Sequence, residues 1–215
     1  MIVTNFKTYQ SATAENAIKL AKIHQQVAEE LNVDIRVAVQ AVDLAKVIDA
    51  VKIPVFAQHI DPIGFGSHTG HILPEAVKAV GAEGTILNHS ERRLDRETLQ
   101  RSIERAKEVG LPVIICAETP EEGAQFLEFD PDYIAVEPPE LIGGDISVST
   151  AKPEIIENAA KLIGTKKLLV GAGVKNGEDV RTCIKLGAKG VLLASGITKA
   201  EDPKLVLMDL ARGLS

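Results

Sequence analysis

The sequence predicts an α/β protein organised as one (β/α)8 barrel domain spanning residues 1–215, and three observations carry that reading. Short runs rich in Val, Ile and Leu alternate with longer stretches of helical period along the chain, the pattern of βα units around a parallel sheet. Pro74, Pro153 and Pro203 stand near the starts of helical stretches, and Gly81, Gly110, Gly164 and Gly187 stand just past their ends. The first strand runs into Asn5-Phe6-Lys7-Thr8 rather than a Gly-x-Gly-x-x-Gly turn, so a dinucleotide-binding open sheet loses its main support. Periodicity alone leaves a closed barrel and an open doubly wound sheet both available. Eight units in 215 residues, about 27 each, suit a small barrel with little decoration.

Taken in order, apolar runs place strands at 2–6, 35–40, 55–58, 84–87, 112–116, 133–136, 167–170 and 190–193. The intervening helical stretches are 13–31, 43–50, 74–80, 95–109, 121–128, 153–163, 177–186 and 203–212. The third, sixth and eighth begin at their prolines, and the third, fourth, sixth and seventh stop at a glycine.

Aromatics make up 3% of the chain and Trp is absent, so the core is expected to be Val, Ile, Leu and Ala. The formal charge is -6 and no stretch gathers Lys or Arg into the footprint of a nucleic-acid binder. A small anionic substrate stays possible, because backbone N–H groups and one Lys can hold a phosphate whatever the global charge. Cys116 and Cys183 are too isolated for a disulfide framework or a zinc site, which fits a reducing compartment. No basic leader follows Met1 and no apolar run reaches the length of a membrane span, so a cytoplasmic protein without membrane contact is expected.

In a barrel, chemistry gathers where strands end and βα loops begin. The first strand delivers Asn5 and Lys7, the second Gln40, the third Gln58-His59, and the fourth Asn88-His89-Ser90-Glu91. The fifth ends in Cys116 and Glu118, and the sixth runs directly into Glu137. The last two end in small residues, Gly171-Ala172-Gly173 and Ala194-Ser195-Gly196, which let a phosphate approach the backbone closely. Taken singly these glycines could serve only tight turns, His89 could be a hydrogen-bonded structural residue, Glu137 could be solvated, and Lys7 could pair with a carboxylate. A Lys, a His and a Glu on three strand ends beside two small-residue loops make a constellation suited to proton transfer.

At these residues the chain resembles the triosephosphate isomerase family. Leu87-Asn88-His89-Ser90-Glu91-Arg92-Arg93 resembles the family's His-Ser-Glu-Arg motif, and Val136-Glu137-Pro138-Pro139-Glu140-Leu141-Ile142-Gly143 its catalytic loop in the short archaeal form. Asn5-Phe6-Lys7 resembles the signature on the first strand, and Gly171-Ala172-Gly173-Val174 and Leu193-Ala194-Ser195-Gly196 the two phosphate loops. The resemblance implies a TIM barrel that interconverts dihydroxyacetone phosphate and D-glyceraldehyde 3-phosphate in glycolysis and gluconeogenesis, without a cofactor. It implies Glu137 as base, His89 as neutral electrophile, Lys7 as the positive charge and Asn5 as an orienting group. Phosphate contacts are implied from backbone N–H groups at Ile142, Gly143, Gly173, Ala194 and Ser195.

The chemistry is consistent with those roles. Removing a proton alpha to a carbonyl builds charge on oxygen, so a carboxylate base needs a partner that stabilises it, and His89 with Lys7 can do so. An enediolate can also eliminate phosphate, which makes water exclusion part of the mechanism. Residues 138–145 form an expected lid. It departs from the family's Gly-Thr-Gly at 143–145, where Asp145 adds a charge expected to face solvent or cap the next helix, and Glu140 stands where an aromatic residue is common.

Other residues take plainer readings. His68 and His71 lack a third ligand in their loop, so no metal is expected there. The loop after the third strand, with Thr69 near its tip, resembles the family's intersubunit loop and implies a homodimer or homotetramer. Cys116 reads as a buried structural thiol. Glu91 could orient His89, bridge to Lys7 or form a structural ion pair, while His24 and Arg101 are expected at solvated helix surface. Two other classes would need different residues. A phosphoribosyl-anthranilate isomerase or pentose-phosphate epimerase would need another acid/base pair or strand-borne metal ligands. A barrel reduced to binding or assembly would have no reason to keep Lys7, His89 and Glu137 together.

Overall fold

The computed structural model describes residues 1–141 and 147–214. Eight parallel strands close into a barrel in sequence order, with β1 (Ile2–Asn5) hydrogen-bonded to both β2 (Ile35–Val39) and β8 (Gly190–Leu193). Between them run β3 (Val55–Ala57), β4 (Gly84–Leu87), β5 (Val113–Ala117), β6 (Tyr133–Val136) and β7 (Leu168–Val170). The closed form, one of the two that periodicity allows, leaves no sheet edge.

The outer ring is α1 (Glu15–Leu31), α2 (Leu44–Ala50), α3 (Pro74–Ala79), α4 (Arg96–Glu108), α5 (Pro120–Gln125), α6 (Val148–Ala151), α7 (Pro153–Ile163), α8 (Gly177–Lys185), α9 (Ser195–Thr198) and α10 (Pro203–Arg212). The expected stretch 121–128 divides into α5 and a 3₁₀ turn, Phe126–Phe129. Helix starts are capped as their sequence suggests: Asp95 accepts from Thr98 N, Thr119 from Glu122 N, Asn176 from Asp179 N and Asp202 from Leu205 N. The glycines at 81, 110, 164 and 187 all take positive φ, which ends their helices at little steric cost.

Strand side chains alternate between two cores. Ile2, Val37, Val55, Leu87, Ile115, Val136, Val170 and Leu193 face outward and pack under the helices. Val3, Ala38, Phe56, Ile86, Ile114, Cys116, Ala135, Leu169 and Leu192 fill the barrel itself. The N-terminal end of that interior is closed by Arg36, whose guanidinium lies 5.8 Å from the Phe56 ring and 5.5 Å from the Tyr133 ring and is held by Asp34. Gly84 makes room for this layer, since a Cβ there would lie 2.3 Å from the Phe56 ring.

His24 departs from expectation: it is fully buried, not solvated. It falls on the inward stripe Ala17, Leu20, Ala21, His24 and Val27, so helical period places it inside although its residue type is polar. Both ring nitrogens are used, Nδ1 with Leu20 O at 2.8 Å and Nε2 with Thr4 Oγ1 at 3.0 Å. Burial pushes its pKa down to about 4, which keeps the ring neutral.

Candidate active site

On seven of the eight strands, the alternation delivers a different set of side chains to the barrel mouth two residues beyond the last apolar inward position. Val3 is followed by Asn5, Ala38 by Gln40, Phe56 by Gln58, Ile86 by Asn88, Ala135 by Glu137, Leu169 by Gly171 and Leu192 by Ala194. Strand register therefore converts a dry interior into a polar floor within one step of the pleat.

The backbone is bent sharply at this floor. Lys7, Asn88 and Ala172 take positive φ (49°, 60° and 75°) without being glycine, conformations that persist only where neighbours hold them. Ala172 is held through its O, which accepts from Val148 N at 3.3 Å, and the other two by side chains of the floor. Lys7 N–H donates to Asn5 Oδ1 at 3.0 Å, and Gln58 Nε2 donates to Lys7 O at 2.9 Å. Asn88 Nδ2 donates to Cys116 O at 3.0 Å, while Asn88 Oδ1 accepts from Leu94 N at 2.9 Å. Asn5, Gln58 and Asn88 thus aim the residues beside them.

His89 opens a 3₁₀ turn, Ser90–Arg92, whose Glu91 N–H donates to His89 Nδ1 at 3.1 Å. An Nδ1 that accepts a hydrogen bond carries no proton, so the proton of the neutral ring sits on Nε2. That Nε2 lies 3.7 Å from Glu137 Oε2. Glu91's side chain reaches Lys7, with Oε1 2.7 Å from Nζ, while its Oε2 lies 3.7 Å from His89 Nδ1.

Glu137 is 7% exposed, and its Oε2 has no hydrogen-bond partner among the described residues. Burial raises its pKa above the ordinary carboxyl value of 4.5, with His89, then the Cys116 thiol and Lys7, pulling the other way. Cys116 is buried below it; burial, and then the carboxylate itself, push the thiol pKa well up, so the proton stays on sulfur to donate to Glu137. The structural reading of Cys116 holds, with an added contact to the candidate base.

Asn5, Lys7, His89 and Glu137 line one cleft, and its opposite wall is made by residues 172–175 and 192–196. Of the sequence candidates, the structure brings Asn5, Lys7, His89, Glu137, Gly173, Ala194 and Ser195 to this cleft, while Ile142, Gly143 and Asp145 lie outside the described residues. Among the described residues, no group of three or more His, Cys, Asp or Glu is arranged to hold a metal ion.

A family profile described as triosephosphate isomerase matches residues 1–213. The triosephosphate isomerase of Methanosarcina barkeri is 48% identical over 98% of this chain and 97% of its own length. That of Methanobacterium bryantii is 47% identical over 98% and 95%, and that of Methanocaldococcus jannaschii 44% over 99% of both. The chain belongs to the triosephosphate isomerase family.

Members of the triosephosphate isomerase family are aldose–ketose isomerases that interconvert dihydroxyacetone phosphate and D-glyceraldehyde 3-phosphate. Against that assignment, sequence reasoning missed the supporting roles of Gln58 and Asn88, and the places of Tyr9 and Lys175 on the cleft wall. The inward register of β3 and β4 was the available signal for the first two. Tyr9 and Lys175 sit on loops, where no period applies.

Proposed function

We propose that Glu137 is the base of a triose phosphate isomerisation, His89 the group that shuttles protons between the substrate oxygens, and Lys7 the positive charge that stabilises the intermediate. One observation carries this reading: a buried, unpartnered carboxylate oxygen lies 3.7 Å from the proton-bearing Nε2 of His89, and both line a cleft with Lys7. Adjacent atoms of one substrate can meet both groups, a carbon at the carboxylate and a carbonyl oxygen at Nε2.

Glu137 Oε2 takes a proton from C1 of dihydroxyacetone phosphate, and the C–H electron pair forms the C1–C2 double bond as charge moves to O2. His89 Nε2–H donates to O2 and recovers a proton from O1, and Glu137 then returns its proton to C2. The product is D-glyceraldehyde 3-phosphate, with no net proton consumed. Burial supports the base role, because a carboxylate with a raised pKa is the stronger proton acceptor. Lys7, held by Glu91 and by the Asn5 and Gln58 contacts to its backbone, supplies charge close to the developing oxyanion.

The small-residue wall supports a phosphate site formed by backbone N–H groups of Gly173, Ala194 and Ser195. Contacts from Ile142 and Gly143 belong to the same reading. Glycolysis and gluconeogenesis in the cytoplasm are the proposed setting; none of the described helices is long and apolar enough to cross a membrane, and both cysteines are free.

Self-association as a dimer or tetramer is proposed through the loop 59–72. Asp61 staples its base, its N–H donating to Ile72 O at 3.0 Å and its carboxylate accepting from Ile72 N at 2.6 Å, and Phe65 projects from it 80% exposed. A large exposed aromatic on a tied loop fits an interface.

The test is direct. Purified protein is given dihydroxyacetone phosphate, and D-glyceraldehyde 3-phosphate is followed with a coupled dehydrogenase. Turnover that Lys7→Met and His89→Gln each reduce by at least about 100-fold supports the assignment. Wild-type protein without turnover would refute it.

A further inference from the structure

The wall 172–175 of the cleft includes two successive residues at positive φ, Ala172 (75°) and Gly173 (73°). Glycine adopts this region freely, but alanine there costs about 1–2 kcal/mol, so the loop needs external ties. Those ties run to one buried carboxylate. Asp179, on α8 and 8% exposed, accepts from Lys175 N at 3.0 Å through Oδ2 and from Ser149 Oγ at 3.0 Å through Oδ1. Ser149 Oγ in turn lies 2.9 Å from Ser147 Oγ, which caps α6, and the next residue, Val148, donates its N–H to Ala172 O at 3.3 Å. The loop is therefore pinned at both ends, at Lys175 by Asp179 directly and at Ala172 through α6.

We propose that Asp179 is a positioning residue for substrate binding: through Lys175 N and Ser149 it fixes the strained 172–175 loop in the conformation that presents its backbone to the phosphate. The inference rests on the reading of that wall as the phosphate site. A carboxylate suits the position because it accepts from two directions at once, from a backbone N–H and a serine hydroxyl. An amide of the same size keeps one acceptor oxygen and turns an NH2 toward the second donor.

The test compares wild type with Asp179→Asn and Ser149→Ala. Two quantities are read: KM and kcat for dihydroxyacetone phosphate, and calorimetric affinity for inorganic phosphate, which requires no turnover. Both substitutions are expected to raise KM, and to weaken phosphate binding by a similar factor, with Asp179→Asn about 10-fold and kcat changed by less than about 3-fold. Loss of thermal stability alone, with KM and phosphate affinity at wild-type values, overturns the proposal. If Asp179→Asn does not fold, Ser149→Ala decides by the same two readouts. Wild-type protein that binds phosphate without isomerising triose phosphate would refute the enzyme assignment while leaving this inference to stand or fall on the phosphate affinities.

Discussion

Glu137 packs against the bare Cα of Gly171: a methyl group at 171 would lie 2.5 Å from Glu137 Cγ and 2.6 Å from its Oε1, and the three atoms nearest to it would all belong to Glu137. Gly171 is not among the residues at positive φ, so its backbone tolerates alanine and the whole consequence of a substitution falls on the candidate base.

Gly171→Ala is therefore expected to leave the fold intact and displace the carboxylate. A misplacement of about 1 Å can cost about 100-fold in rate, and kcat should fall by that order with KM changed little. Glu137→Asp withdraws the carboxylate by one methylene, so adding Gly171→Ala in that background should cost much less than it does in wild type. Steady-state kinetics of the four proteins test the coupling, and independent, additive losses would contradict it.

Burial raises the pKa of Glu137, so between 4.5 and the raised value the folded protein holds a proton that the unfolded chain has released. Stability from this group is full below pH 4.5 and declines as pH rises through the folded pKa. Glu137→Gln should accordingly melt higher than wild type at pH 7.5, with the difference narrowing toward pH 4. A variant that melts lower at pH 7.5 would show that the carboxylate is not under the proposed desolvation.

His24 has the opposite sign. Its pKa falls from 6.5 to about 4 on folding, so the unfolded chain binds the proton first as pH drops. Its contribution of about 3 kcal/mol is complete above pH 6.5 and lost progressively down to about pH 4. Urea unfolding at intervals across that window should show a smaller loss for His24→Gln than for wild type, although the variant starts about 2 kcal/mol less stable at pH 7.5. Equal losses in both proteins would assign the acid sensitivity to other groups.

Self-association through loop 59–72 should depend on Phe65, whose ring is exposed in the isolated chain. Sedimentation equilibrium is expected to give a mass of two or four chains for wild type, and at least about a 10-fold weaker association for Phe65→Asp. A wild-type monomer at micromolar concentration would rule the interface out.

Much of the barrel was legible because its strands are short apolar runs with clear punctuation: β4, β6 and β8 match their expected limits, as do α7 and α10. The misses have physical causes. The helix α9, Ser195–Thr198, is a single turn without a periodic stripe, and α6 is of the same length. His24 was misplaced because its residue type was weighed above its position on the α1 stripe. Lys7, His89 and Glu137 were legible as types at strand ends, but Lys7 is held by long-range bonds to Gln58 and Glu91, and His89 is turned by the Glu91 N–H of a 3₁₀ turn that carries no periodic signal. The ties from Gln58 to Lys7 O and from Asn88 to Cys116 O join residues far apart in the chain, and no local pattern encodes them. Gly171 read as a phosphate-loop glycine, whereas its missing Cβ also makes space for Glu137.

The most direct test of the central claim follows proton transfer itself. Dihydroxyacetone phosphate is incubated in D2O with wild type and with Glu137→Gln, and deuterium at carbon is read by NMR together with the rate of isomerisation. Wild type should incorporate deuterium as it isomerises, and Glu137→Gln should lose exchange and isomerisation together by at least about 1000-fold. Exchange at the wild-type rate in Glu137→Gln would show that another group removes the proton.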